Sequence, residues 1–95
     1  MTAHVRLNTA FLLMAQYGPI AVIPIEQVCR DYFSHLTPEK FLRKVKAGDI
    51  ALPVVSLEDS QKAAKGVSLQ ALAEYLDARM KEAYEDCRKL NGRIG

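Results

Sequence analysis

Glycine and proline are scarce in this chain of 95 residues, at five and four, and there are only two cysteines and two histidines. So little glycine and proline rules out a low-complexity or loop-built chain. With 49% apolar and 25% charged residues, it fits one compact domain. Cys29 and Cys87 could supply one staple at most, not a disulfide framework. The N-terminus lacks a basic region followed by a long apolar run and a cleavage site, so the expected address is a reducing cytoplasm with both thiols free. The longest apolar stretch, Ala10 to Ala15, falls far short of the roughly 20 residues of a membrane span. His4 and His35 have no second ligand at metal spacing, which argues against zinc. There is no paired-carboxylate cleft, glycine-rich phosphate loop or nucleophile elbow. The expectation is therefore a protein without catalysis, cofactor or metal.

A chain of this size buries only about two-thirds of its unfolded surface, so a partner subunit would add stability. The net charge of +2 says little by itself, but its distribution says more. Lys40, Arg43, Lys44 and Lys46 cluster without an intervening acid, whereas Glu74, Asp77, Glu82, Glu85 and Asp86 crowd the last third.

Residues 1–7 carry no periodicity and read as a disordered lead-in. Asn8 and Thr9 can cap a short, buried helix made of the run to Tyr17, which Gly18 and Pro19 stop. Ile20 to Ile23, β-branched and flanked by Pro19 and Pro24, suggests a brief edge strand. Ile25, Val28, Cys29 and Tyr32 then fall at helical spacing. Ser34, His35 and Leu36 interrupt that pattern, and Thr37, Pro38 and Glu39 restart it as cap, first-turn proline and acid at the positive end of the dipole. This next helix should close at Gly48, with Phe41, Leu42 and Val45 inward and Lys40, Arg43, Lys44 and Ala47 outward. Two helices joined by a short turn, the second basic on its free face, make a helix-turn-helix candidate. Ile50 to Val55 reads as an edge strand because of Pro53, the stretch from Glu58 to Gly66 as a polar tip, and Val67 as the start of a return strand. Together they have the shape of a wing. Ser68 caps a final helix that meets no glycine or proline before Gly92.

The fold class expected is mainly α with a small β-hairpin, a winged helix-turn-helix with a long C-terminal helix. Its parts are the lead-in 1–7, a DNA-binding domain 8–67 and a dimerisation helix 68–91. The second helix of a helix-turn-helix presents base-reading and phosphate-binding side chains to the major groove, which makes Thr37, Lys40, Arg43, Lys44 and Lys46 candidate DNA contacts. A solvated helix face is the ordinary alternative for such charges. Ser60, Gln61, Lys62 and Lys65 on the tip suit phosphate or minor-groove contact. Leu69, Ala73, Leu76, Met80, Ala83, Cys87 and Leu90 repeat every 3.5 residues. So small a domain cannot cover the whole stripe, so its outer half is expected to meet a second copy.

Four strings in one order carry a resemblance: NTAFLLMAQY from Asn8, VCRDYF from Val28, LTPEK from Leu36 and GDIALPVV from Gly48. The chain resembles the pyocin activator proteins from Asn8 to about Arg79. That resemblance implies a sequence-specific activator binding promoter boxes ahead of bacteriocin or phage-tail-like genes, its own expression released from a repressor after DNA damage. Double-stranded DNA is then the partner, with RNA polymerase a further candidate. More loosely, the helix pair, Gly48, Pro53 and the helix from Ser68 resemble excisionase and MerR-type winged helices. An excisionase-like architectural role, or a protein interaction module without DNA binding, are the alternatives.

Overall fold

The computed structural model describes residues 7–92, so nearly all of the expected lead-in, and His4 with it, lies outside the described residues. The elements run α1 (Thr9–Tyr17), β1 (Val22–Pro24), α2 (Ile25–Tyr32), α3 (Pro38–Lys46), β2 (Val55–Ser56), β3 (Lys65–Ser68) and α4 (Leu69–Gly92). The molecule is mainly helical with one small antiparallel sheet in the order β1-β3-β2. Caps fix the helix starts. Asn8 accepts from the Phe11 amide, Thr37 from Lys40 and Ser68 from Ala71, each satisfying an amide that has no partner inside its helix.

β3 is the central strand. Ile23 pairs with Val67 on one side and Val55 with Gly66 on the other, and the Leu69 amide reaches the Ala21 carbonyl to extend the first ladder. The two proline-flanked segments take the edges, where a missing donor costs nothing. Gly66 has to be glycine. A Cβ there would sit 2.5 Å from Val22 Cγ1 and 2.6 Å from the Ile23 carbonyl oxygen.

Phe41, Ile23, Leu72, Val28 and Val67 are fully buried, so α2, α3, the sheet and the first turns of α4 share one core. Three expectations change in detail. The first helix is not buried: only Leu13 is, whereas Phe11 (71% exposed), Leu12 (49%) and Met14 (42%) face outward. Ile50 and Leu52 reach the core from irregular backbone, the Leu52 amide closing a tight turn on the Ile50 carbonyl, and only Val55 and Ser56 form strand. The first strand starts at Val22 rather than Ile20, because residues 18–21 carry the chain from α1 to the sheet edge.

Candidate nucleic-acid interface

α2 and α3 are joined by residues 33–37, and α3 is held from below. The Phe41 ring packs 4.9 Å from Phe33, which lies 5.9 Å from Tyr75 on α4, so an aromatic line ties α3 to the long helix. Leu42 and Val45 flank Phe41 against the core. The opposite face is left to Glu39, Lys40, Arg43, Lys44 and Lys46, all exposed. α3 ends where Gly48 takes φ +85, with the Asp49 amide donating to the Lys44 carbonyl. Among the described residues the ion pairs are Arg30 with Asp31 and Arg79 with Glu82, so none of the four cations on α3 is paired. Arg43, Lys44 and Lys46 fall in the last turn, where positive charge also offsets the helix dipole.

Residues 57–64 close the β2–β3 hairpin, with the Leu57 amide on the Ala64 carbonyl. Ser60, Gln61 and Lys62 are exposed at its tip, the Ser60 hydroxyl accepting from the Lys62 amide. Lys65 is differently placed. Half-buried at the start of β3, it turns its ammonium back to donate to the Gln61 carbonyl at 2.9 Å, with the Ala63 carbonyl at 3.4 Å. Its charge braces the tip, while that of Lys62 points into solvent.

The stripe on α4 divides. Leu69 and Ala73 are buried in the chain's own core and Leu76 packs against it, whereas Met80, Ala83, Cys87 and Leu90 are exposed. Cys29, in the core, and Cys87 are both free thiols.

A model of the family described as pyocin activator protein PrtN matches residues 9–83. The chain belongs to the pyocin activator family. The matched span takes in every element from α1 through the core-packed part of α4, α3 included. Its end at residue 83 falls within the exposed half of α4. No curated protein and no solved structure matches the chain.

What the residue pattern did not reveal is the polar join between α1 and α2. The Tyr17 hydroxyl donates to Asp31 Oδ2 at 2.6 Å and the Tyr32 hydroxyl to Gln16 Oε1 at 2.9 Å. Burial, and then the bond to Asp31, push Tyr17 above the usual tyrosine range. The Arg30 guanidinium, with the Tyr17 hydroxyl second, holds Asp31 below the usual carboxylate range. Phe33 and His35 lie 6.4 Å apart, which puts that exposed histidine beside the aromatic line in the turn. Among the described residues no three His, Cys, Asp or Glu side chains gather into a metal-binding group, and no helix is long and apolar enough to cross a membrane.

Proposed function

We propose that this pyocin activator family chain is a sequence-specific DNA-binding activator of bacteriocin or phage-tail-like genes. α2 and α3 act as a helix-turn-helix and the β2–β3 hairpin as its wing. The observation that carries the reading is the unpaired basic face of α3, set on a helix whose opposite side is anchored by Phe41. A rigid helix with free cations on one face is what the major groove accepts, Arg43 and Lys44 reading base edges and Lys40 and Lys46 meeting phosphates. Thr37 caps the α3 N-terminus, the positive end of that helix dipole, which a phosphate oxygen can approach. Ser60, Gln61 and Lys62 supply the wing contact, and Lys65 supports the tip that presents them.

A band-shift series on promoter fragments at several salt concentrations tests this. Binding should weaken steeply with salt, because each neutralised phosphate releases counterions. Arg43→Ala and Lys44→Ala should each cost roughly 1 to 3 kcal/mol of specific binding with an unchanged unfolding transition. Unaltered affinity in both variants and in the double variant would take α3 out of the interface.

A further inference from the structure

From Asp77 onward every described residue of α4 is exposed, and the arm stretches the molecule to 55 Å against 30 and 19 Å in the other directions. Met80, Ala83, Cys87 and Leu90 nevertheless continue, at spacings of three and four, the stripe that Leu69, Ala73 and Leu76 turn toward the core. Met80 is 44%, Tyr84 69% and Leu90 63% exposed. A helical arm of this length is marginal in water without an apolar cover.

We propose that the cover is a second copy of this chain, the two α4 arms running antiparallel over residues 80–90. Two features point to that occupant and that direction. The stripe reads large, small, small, large from either end, so in reverse orientation Met80 of one copy meets Leu90 of the other and Ala83 meets Cys87. One helix thus supplies both sides of every layer, with the two Tyr84 rings beside the two-fold axis. The second feature is steric. The globular part sits on the stripe face of α4 over residues 69–76, so a parallel pair would force both globular parts into the same gap. In the antiparallel pair each lies beyond the end of the other's arm. Among the described residues the unfavourable contact is between the two Asp86 side chains near the axis.

The overlap is short, so the dimer is expected in the micromolar range rather than tighter. Resting on the DNA reading above, the geometry has a corollary. Ala73 lies about 18 Å along the helix from the axis at residue 85, which separates the two globular parts by about 36 Å at 1.5 Å per residue. One turn of duplex is about 34 Å.

The test is made without DNA, so that its failure and failure of the DNA reading are separable. Sedimentation of the full chain should give a dimer at tens of micromolar. Met80→Glu and Leu90→Glu, both at exposed positions, should give folded monomers, and Asp86→Asn should tighten the dimer several-fold. Orientation is read by mild oxidation. A chain carrying Ala83→Cys and Cys87→Ser, mixed with wild type, should form a mixed disulfide through wild-type Cys87. The wild-type chain alone should not link, because its two Cys87 residues are offset by about 6 Å along the axis. A folded monomer at tens of micromolar, or ready disulfide formation between Cys87 and its own copy, would overturn the proposal.

Discussion

Tyr17 and Asp31 do at the level of single side chains what apolar packing does elsewhere in the molecule. α1 presents only Leu13 as a fully buried side chain, and its C-terminal end is tied to α2 by the Tyr17 to Asp31 and Tyr32 to Gln16 bonds. The shifts of the first pair have opposite consequences. Asp31 titrates below its unfolded range near 3.9, so its contribution is present above that range and is lost as pH falls through the folded value. Tyr17 titrates above its unfolded value of about 10, so its contribution is intact below that and is lost as pH rises. Tyr17→Phe should therefore remove the Tyr17 share of the alkaline loss of stability, leaving the shares of Tyr32 and Cys29, which burial also pushes up, and make the acid loss shallower, at a cost near neutrality of about 1 kcal/mol for the missing bond. Urea midpoints measured from acid to alkaline pH check this, and pH limbs that match wild type would mean that the bond does not form in solution. The Arg30 to Asp31 pair remains in the variant, but the Arg30 side chain is largely exposed and contributes little to stability.

Among the elements, those written in local chemistry were legible from the residues alone. Asn8, Thr37 and Ser68 mark three helix starts, the period of Ile25, Val28, Cys29 and Tyr32 marks α2, and Gly48 marks the close of α3. The basic face of α3 followed from the same period. Two things were not legible. The run in α1 is apolar on nearly every side, so no period says which face is covered, and Leu13 turns in while Phe11 turns out. The pairing of β1 with β3 joins Val22 to Ser68 across nearly half the chain, and local propensity carries no record of it. Lys65 shows the same limit at a smaller scale, since its composition reads as a free cation and its position makes it a brace. The aromatic line is the test of how α3 is held. Phe41→Ala removes a fully buried ring at the meeting of α2, α3 and α4 and should cost roughly 3 to 5 kcal/mol, enough to unfold a domain this small. Lys40→Ala, on the opposite face of the same helix, should leave the urea midpoint within about 0.5 kcal/mol of wild type. Equal losses in the two variants would mean that α3 is not anchored through Phe41.

At the scale of the whole molecule, the core and the arm are separable in sequence. Among the described residues every buried one lies at or before Ala73, and the last partly buried one is Leu76. A chain ended after Arg79 therefore keeps the sheet, the aromatic line, the α1 contact on α4 and the basic face of α3, and loses only residues that are exposed in the single chain. It also loses Glu82, the partner of Arg79 in an exposed pair too weak to matter. Because the denaturant slope follows the area uncovered on unfolding, and the removed residues are exposed already, the shortened chain should show nearly the full-length slope and one cooperative transition. The difference should lie in concentration dependence. The melting temperature of the full-length chain should rise with protein concentration, since association of folded copies stabilises them by mass action, whereas that of the shortened chain should not. Binding to a single DNA site should persist at reduced affinity, with the salt slope set by the phosphate contacts of Lys40 and Lys46 unchanged per copy. Loss of the folded core in the chain ended after Arg79 would mean that the arm is packed against its own chain, and would place the distal stripe inside the domain instead of between two copies.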